Sequence, residues 1–286
     1  MKFAVVGGDE RSVRLCALLA EDGHRVHTYA LEKAELPPEA PKAGCLQGCV
    51  YGADWVLLPL PAEKSGAVNA PFAASPPTLE ELLSTLWPGQ VLCGGALSAD
   101  CCLLAAQNGV TAADLMQRQG FTVGNAVLTA EGAIELLMKN SPRSLWRSRV
   151  LVTGWGRVGR LLSLRLLALG AEVTVAARKE GDRAMARALG LKALAPGDLG
   201  SGSGTWHLAV NTVPARILDE AALRALGRGT LLLELASAPG GFDRAQAESL
   251  GLKALAAPGL PGRCAPQTAA ELIREAIYDM INEQED

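Results

Sequence analysis

Long apolar runs and a surplus of positive charge are both missing from this sequence. Glycine, proline or a charged residue breaks every apolar stretch well before 18 residues, so no transmembrane helix is expected. Lys and Arg number 27 against 30 Asp and Glu, which gives a net charge of -3 and no basic stripe. This excludes nucleic acid from the expected partners. The first residues reach Gly7-Gly8-Asp9 too early for a signal peptide. We therefore expect a cytoplasmic protein that does not bind membranes.

Histidine is scarce, the cysteines are poorly spaced for chemistry, and aromatic residues make up only 4% of the chain. The seven cysteines are odd in number and fit neither a zinc motif nor a disulfide framework. Inert thiols in a reducing compartment are expected, and no metal site. The three histidines, His24, His27 and His207, have no suitable carboxylate or serine nearby in the sequence. None of them receives a role.

The clearest motif lies in residues 149 to 178, whose pattern predicts a strand at 149–153, a glycine loop, a helix and a second strand at 172–176. The glycines stand at the G-x-G-x-x-G spacing, which serves a tight turn, a close approach to pyrophosphate and close helix–strand packing. Free amide groups and the helix dipole favour an anion there. In this context the motif predicts a dinucleotide site. Its loop residues are Gly154, Trp155, Gly156, Arg157, Val158 and Gly159.

The end of the second strand predicts which dinucleotide binds. A NAD site carries an acid there for the ribose 2′-hydroxyl. This chain instead has Ala177, Arg178 and Lys179 before the first acid, Glu180. Arg178 and Lys179 therefore favour NADP over NAD, although Arg178 as a solvated surface cation stays an open alternative. Two later loops should also reach the cofactor, through Thr212, Val213, Pro214, Ala236 and Ser237.

The first segment repeats this design without its binding glycines. Gly7 corresponds to Gly154 at a shift of 147 positions, and at that shift Asp9 replaces Gly156. A carboxylate would repel pyrophosphate, whereas it suits an N-cap. The first unit is therefore expected to have a Rossmann-like shape but to bind no dinucleotide.

Alternating strands and helices predict an α/β protein with two Rossmann-like, doubly wound parallel-sheet domains and a cleft between them. Residues 1–126, with a C-terminal helix returning at 266–286, form the predicted substrate domain. Residues 127–142 form a linking helix, and residues 143–265 the NADP-binding domain. The Gly-Ser run at 200–204 is expected to be a flexible surface loop.

Several motifs resemble one family, the A subunit of dipicolinate synthase from endospore-forming bacteria. They run through most of the chain, and the last is the most specific. Arg263 and Cys264 fall where the family pattern is open and take no role from it. The matching segments are Gly7-Gly8-Asp9-x-Arg11, Glu131-Gly132, Gly154-x-Gly-Arg157-x-Gly159, Asn211-Thr212-x-Pro214, Leu235-Ala236-Ser237-x-Pro239-Gly240-Gly241 and residues 257 to 269.

The resemblance implies a role in making dipicolinate, during sporulation, from dihydrodipicolinate or from its hydroxytetrahydro precursor. Combined with the NADP site inferred above, it predicts NADP-dependent oxidation of that compound. It also implies a partner, the flavoprotein-like B subunit of dipicolinate synthase, and expression in the mother cell; a homo-oligomer is expected as well. Two alternatives stay open. One is a non-catalytic NADP-binding scaffold for the B subunit, and the other is a D-2-hydroxyacid-type dehydrogenase, which resembles this architecture but needs a histidine–carboxylate pair.

Removing a hydride and a proton from a ring requires a general base. No histidine or lysine is suitably placed in the sequence, so Glu131 and Asp9 are the candidates. Glu131 is equally explained as an acid near a helix start, and Asp9 as an N-cap. Donors are also needed for two substrate carboxylates. The candidates for substrate binding are the cations Arg11 and Lys64, the backbone amides of Gly94, Gly95 and Ala96, and the amides around Pro261 and Gly262, which are expected at the start of the last helix.

Overall fold

The computed structural model describes residues 1–200 and 206–285, so most of the predicted Gly-Ser loop at 200–204 lies outside the described residues. The chain divides into two compact units, Met1–Asn125 with Ala265–Asp286 and Ala126–Cys264. The strands are β1 (Lys2–Val6), β2 (Arg25–Tyr29), β3 (Trp55–Leu57), β4 (Glu63–Lys64), β5 (Ala67–Val68), β6 (Val91–Gly94), β7 (Thr111–Asp114), β8 (Arg149–Thr153), β9 (Glu172–Ala176), β10 (Lys192–Leu194), β11 (Leu208–Asn211), β12 (Leu231–Glu234) and β13 (Lys253–Ala256).

The helices alternate with these strands, and two 3-10 turns lie at Leu115–Gln117 and Pro196–Asp198. The α-helices are α1 (Glu10–Glu21), α2 (Leu46–Val50), α3 (Leu79–Thr85), α4 (Ala99–Gln107), α5 (Gln119–Asn140), α6 (Arg157–Ala168), α7 (Glu180–Ala188), α8 (Glu220–Leu226), α9 (Arg244–Ser249), α10 (Leu260–Cys264) and α11 (Pro266–Glu285).

The first unit is built on a five-stranded parallel sheet in the order β2-β1-β3-β6-β7. Successive side chains of a strand point to opposite faces. Phe3 and Val5 therefore enter the core beneath α1 and α11, while Ala4 and Val6 enter the core on the other face. The last helix packs on α1 within this unit. It begins at Pro266, where a missing N–H costs nothing because the first amides of a helix have no intrahelical partner.

The second unit is a six-stranded parallel sheet in the order β10-β9-β8-β11-β12-β13. Val150 and Val152 of β8 pack on one face, and Leu151 packs on the other. The order reverses at β8, because the chain first moves outward through β9 and β10 and then returns to β11. Ligands of open parallel sheets bind at such a switch point, beyond the carboxyl ends of the strands.

Several boundaries differ from those predicted. The apolar run at 53–60 predicts a buried strand, but the strand that forms is confined to Trp55–Leu57. The hairpin of β4 and β5, strand β7 and helix α10 were not predicted. The linking helix begins at Gln119, ahead of the range 127–142 predicted for it, although Gly124 lies within it. A Cβ atom at Gly124 would come within 2.8 Å of Leu272, so helix packing accounts for that glycine.

Helix α5 also qualifies the expectation that no helix could cross a membrane. Its length and a window hydropathy of 1.2 meet the criterion for a span, and 44% of that window is buried within the structure. Because core helices of globular proteins meet the same criterion, this finding is weak support for a membrane segment.

Candidate functional site

A groove with a volume of about 800 Å³ opens at the carboxyl ends of β8, β9, β10 and β11 in the second unit. We call it the cofactor groove. The glycine loop forms one wall, and the turns after β9 and β10 form another. Predicted and unpredicted residues meet in its lining, which consists of Gly154, Trp155, Gly156, Arg160, Ala176, Ala177, Arg178, Lys179, Asp182, Ala195, Pro196, Gly197, Val213, Ala215 and Ile217.

The three glycines of the loop differ in what surrounds them. A Cβ atom at Gly154 would lie 2.4 Å from the Thr212 hydroxyl, and one at Gly159 would lie 2.4 Å from the Gly154 carbonyl oxygen. Both glycines are therefore required by the fold. A Cβ atom at Gly156 would meet no protein atom within 4 Å, so this side of the loop is open. Gly156 is also the N-cap of α6 and provides no side-chain cap, which leaves that helix end accessible to an anion.

Thr212 supports the glycine loop from beneath. Its hydroxyl donates to the Thr153 carbonyl oxygen at 2.7 Å, and its amide donates to the same oxygen at 3.0 Å. Trp155 is buried beside the loop, and the Arg160 guanidinium lies 5.7 Å from its ring centre. Arg160 Nε also donates to the Trp155 carbonyl oxygen at 2.8 Å, so the first turn of α6 holds the start of the loop.

The groove becomes cationic at the end of β9. Ala176 and Ala177 stand where an acid would bind a ribose 2′-hydroxyl, and the exposed Arg178 and Lys179 follow. The Arg178 side chain makes no hydrogen bond or ion pair with any other residue in the described ranges. Its backbone is fixed, because Arg183 Nη1 donates to the carbonyl oxygens of Ala177 at 2.8 Å and Arg178 at 2.7 Å.

The lining contains one carboxylate among the described residues, and sequence reasoning missed it. Asp182, in the first turn of α7, lies 3.7 Å from Arg160 Nη2, and this pair offsets part of the positive charge. Ala195, Pro196 and Gly197 were missed as well. No local pattern marks these residues, and only the pairing of β10 beside β9 places them in the groove.

Seven predicted cofactor residues do not line the groove. Arg157, Val158 and Gly159 form the first turn of α6, and Thr212 lies beneath the loop. Pro214 is exposed, and Ala236 and Ser237 follow β12. Their assignment to a cofactor stays a prediction.

A polar network joins the ends of β8, β11 and β12. The buried Asn211 accepts at Oδ1 from the Thr153 hydroxyl at 2.6 Å and donates from Nδ2 to Glu234 Oε1 at 2.6 Å. Glu234 Oε1 also accepts from the Ala236 amide at 2.9 Å, and Oε2 accepts from the Gly241 amide at 2.7 Å. The Ala236 amide is therefore occupied. Glu234 holds both ends of the loop that contains Ala236 and Ser237.

The corresponding turn of the first unit is closed by a carboxylate. Asp9 caps α1 by accepting from the Arg11 amide at 3.0 Å, as the sequence predicts. Arg11 Nη2 pairs with Asp9 Oδ2 at 2.8 Å and also donates to the Leu60 carbonyl oxygen. Arg11 is only 5% exposed. The end of this helix therefore already holds an anion of the chain itself.

Two of the amides proposed for substrate carboxylates already have acceptors. The Gly95 amide donates to the Pro59 carbonyl oxygen at 3.1 Å, and the Ala96 amide donates to Asp114 Oδ1 at 2.9 Å. A Cβ atom at Gly94 or Gly95 would lie within 3.0 Å of a Leu58 or Leu60 side-chain atom, so leucines fill the space beside both glycines. Binding of a carboxylate at Gly95 and Ala96 would require these bonds to break.

The expected position of Pro261 and Gly262 at the start of the last helix is wrong. They are buried in the separate short helix α10, and α11 begins only at Pro266. Pro261 also lacks an N–H group to donate. Lys64 is exposed on the hairpin of β4 and β5, in the first unit.

The predicted base Glu131 lies against α6. Its Oε1 is 3.7 Å from Arg165 Nη2, and Arg165 is in the last turn of that helix. Arg165 lies eight positions after Arg157, the first residue of α6, which corresponds to a rise of about 12 Å. The Glu131 carboxylate therefore contacts the opposite end of α6 from the glycine loop.

The thiols are less uniformly buried than expected. Cys16, Cys49, Cys93 and Cys101 are buried, Cys102 is half-buried, and Cys45 and Cys264 are exposed. Within the described ranges, no group of three or more His, Cys, Asp or Glu side chains could hold a metal ion.

Two Rossmann-like units, one with an open glycine loop and one closed by its own carboxylate, define a dehydrogenase-like fold, and chains of dehydrogenases share it. Residues 2–116 match the model of the N-terminal domain of the dipicolinate synthase A subunit. The A subunit of dipicolinate synthase from Bacillus subtilis (strain 168) is 30% identical over 286 residues, with 99% of this chain and 96% of the relative covered. This chain belongs to the family of the dipicolinate synthase A subunit.

Solved structures agree with this assignment. The Bacillus subtilis protein superposes with a TM-score of 0.85, covering 99% of this chain and 96% of that one. The Bacillus halodurans protein is 26% identical, with a TM-score of 0.86 and coverage of 98% and 97%. A transhydrogenase from Sinorhizobium meliloti, 17% identical with a TM-score of 0.71 and coverage of 98% and 94%, shares the fold alone.

Proposed function

We propose that this chain is an NADP-dependent oxidoreductase that converts dihydrodipicolinate, or its hydroxytetrahydro precursor after loss of water, to dipicolinate. The observation that carries the proposal is the cofactor groove, which combines the open face of Gly156 with Arg178, a cation unpaired within the described ranges. Family membership supports the product, because the Bacillus subtilis relative is named for it.

The residues of the groove fit a dinucleotide. The amides at the start of α6 would hold the pyrophosphate beside Gly156, because a helix N-terminus without a side-chain cap attracts an anion. Ala195, Pro196 and Ile217 would contact the adenine. Arg178 and Lys179 would pair with a 2′-phosphate, which NAD lacks. When bound, the nicotinamide supplies a hydride acceptor.

The rest of the reaction falls to the chain itself. Conversion of dihydrodipicolinate to dipicolinate releases one hydride and one proton, so a base must take the proton. We retain Asp9 and Glu131 as the candidates. Asp9 would have to release its ion pair with Arg11, whereas Glu131 has a longer pair, at 3.7 Å, and is exposed. Arg11 and Lys64 are the cationic candidates for the substrate carboxylates.

The test is to incubate the purified chain alone with NADP⁺ and dihydrodipicolinate and to follow the absorbance of reduced nicotinamide. The proposal predicts equal amounts of NADPH and dipicolinate without any partner. Cofactor binding without turnover in this assay would support the non-catalytic scaffold. Asp9→Asn and Glu131→Gln should then identify the base, because only the variant lacking the base should lose kcat while keeping its affinity for NADP⁺.

Among the residues that the structure describes, no contact favours the D-2-hydroxyacid alternative, which needs a histidine paired with a carboxylate near the nicotinamide. His207 lies at the amino end of β11, on the opposite edge of the sheet from the cofactor groove. Its imidazole Nδ1 accepts from the Arg149 amide at 3.1 Å. In the first unit, His24 hydrogen-bonds Tyr278 at 3.0 Å.

Assembly and location follow from the same proposal. The relatives are named as one of two subunits, which supports a partner, and we take that partner to be the flavoprotein-like B subunit of dipicolinate synthase. We also propose a homo-oligomer in the cytoplasm of the mother cell during sporulation. Co-purification of the two tagged subunits would test whether the B subunit is the partner.

A further inference from the structure

A second pocket, with a volume of about 450 Å³, opens on the opposite edge of the sheet in the second unit. We call it the basic pocket. It lies at the amino ends of β8, β11, β12 and β13, whereas the cofactor groove lies at the carboxyl ends. Four cationic side chains from four separate segments line it, with an imidazole and an indole: Arg143, Arg149, Arg228, Lys253, His207 and Trp206.

The lining includes no carboxylate among the described residues, although the whole chain carries a net charge of -3. Arg143, Arg228 and Lys253 are exposed at the pocket, and no ion pair joins them to any acid in the described ranges. None of the ion pairs among the described residues includes Arg143, Arg228 or Lys253. The pocket is therefore a concentration of positive charge in an acidic protein.

Helix C-termini offset only part of the positive charge of the lining. Lys253 Nζ donates at 2.8 Å to the carbonyl oxygen of Asn140, the last residue of α5, and Arg228 follows the end of α8. Each helix C-terminus carries roughly -0.5 charge, so two of them offset about one positive charge of the lining. The lining as a whole therefore keeps a positive charge.

His207 adds an N–H group to the lining of the pocket. Its Nδ1 accepts the Arg149 amide, so in the neutral ring the proton resides on Nε2. Burial, followed by Arg143 and Arg149, lowers the pKa of His207, while Glu172 raises it. Glu172 itself pairs with Lys192 at 3.5 Å. The same cations that would attract an anion therefore disfavour protonation of this imidazole.

We propose that the basic pocket binds a small anion with two or more negative charges, of the dicarboxylate or phosphate class. The volume suits a small molecule, since ligand pockets commonly measure about 300–1,000 Å³. Several cationic groups from different segments can contact two anionic groups of one ligand at once. Such a site would be separate from the cofactor groove, and the inference does not depend on the proposed function.

The experiment is calorimetric titration of the full chain with two probes in separate arms, sodium pyrophosphate and pyridine-2,6-dicarboxylate. Binding of at least one probe is expected, with an affinity that weakens as salt is added. Tighter binding of pyrophosphate would assign the phosphate class, and tighter binding of pyridine-2,6-dicarboxylate would assign the dicarboxylate class. Failure of both probes to bind at physiological ionic strength would overturn the proposal.

Variants place the binding in the pocket. Arg228→Glu and Arg143→Glu should each lower the affinity for the probe about tenfold or more. Arg14→Glu makes the same charge change at an exposed residue of α1 and should leave the affinity unchanged. Equal affinities in all of these proteins would place the anion elsewhere and refute the site.

An independent readout is the titration of the histidine imidazole resonances by NMR. This measurement uses the unsubstituted protein, so it also serves if a charge-reversal variant fails to fold. Bound dianion should raise the pKa of His207 in the unsubstituted protein, while His24 and His27 of the first unit should not respond. A probe that binds but leaves the His207 titration unchanged would overturn the proposal.

Discussion

The side-chain amide of Asn211 donates to the Glu234 carboxylate, with 2.6 Å between Nδ2 and Oε1. Three donors converge on that carboxylate, from Asn211, Ala236 and Gly241.

In Glu234→Gln one oxygen becomes an NH₂ group that faces an N–H donor. We expect a loss of about 1–3 kcal/mol in the free energy of unfolding and a lower thermal midpoint by calorimetry. Glu248→Gln, which breaks only an exposed pair with Arg244, should shift the midpoint far less. Equal shifts would contradict this role.

The second and third glycines of the loop motif should respond differently to a methyl group. Gly159→Ala would place a Cβ atom 2.4 Å from a backbone oxygen, so we expect a marked loss of thermal stability. Gly156→Ala meets no protein atom within 4 Å and has a negative φ of -76°, so its stability should be close to that of the parent protein.

Measurement of NADP⁺ binding separates a role of Gly156 in the cofactor site from a role in stability. Gly156→Ala should weaken NADP⁺ about tenfold or more by calorimetric titration, because the added methyl group would stand in the space assigned to pyrophosphate. A Gly156→Ala protein that binds NADP⁺ as well as the parent would show that the open face of the loop serves another purpose.

Acid should destabilise the folded protein before its carboxylates are protonated. Burial is the main cause that lowers the pKa of His24, His27 and His207 below the ordinary value of 6.5. The unfolded chain therefore binds protons more readily near that pH, and stability is lost as the pH falls below about 6.5 towards the lower folded pKa values. Urea unfolding between pH 7.5 and about 5.5 should show the decline. Stability that is unchanged or higher at the lower pH would contradict it.

Alkylation should divide the cysteines into two groups. Burial raises the pKa of Cys49 and Cys93 to about 12 and that of Cys101 to about 11, and the pKa of Cys16 is raised as well. The thiolate is the reactive form, so these four should stay unmodified by iodoacetamide in the native protein.

The exposed Cys45 should be alkylated first. Cys264 should follow more slowly, because burial and the neighbouring Glu135 raise its pKa. Peptide mass spectrometry after timed quenching measures this order. Early labelling of Cys16 or Cys93 would mean that their surroundings open readily.

The elements around the cofactor groove were predictable where the signal is local. The glycine spacing and two β-branched runs predicted β8 and β9 with the bounds that the structure has. The carboxylate of Asp9 likewise indicated its own cap, because an N-cap depends on a few neighbouring residues.

What depends on tertiary contact was not predictable. Strand β7, with the sequence Thr-Ala-Ala-Asp, has little β propensity and forms because it pairs with β6. The part of the groove around Pro196 is supplied by a turn after β10, and no spacing in the sequence links it to the glycine loop. The free amides expected at Gly95 and Ala96 could not be judged from sequence either, since their acceptors lie 36 and 18 residues away, at Pro59 and Asp114.

The central claim is that the glycine loop of the second unit holds a phosphorylated nicotinamide dinucleotide through Arg178. It is tested most directly by titrating NADP⁺ and NAD⁺ into the parent protein, Arg178→Asp and the control Arg14→Asp. We predict one NADP⁺ per chain, bound at least tenfold more tightly than NAD⁺ in the parent and the control, and a loss of that preference in Arg178→Asp. An unchanged preference in Arg178→Asp, or no affinity for either dinucleotide in the parent, would contradict the account.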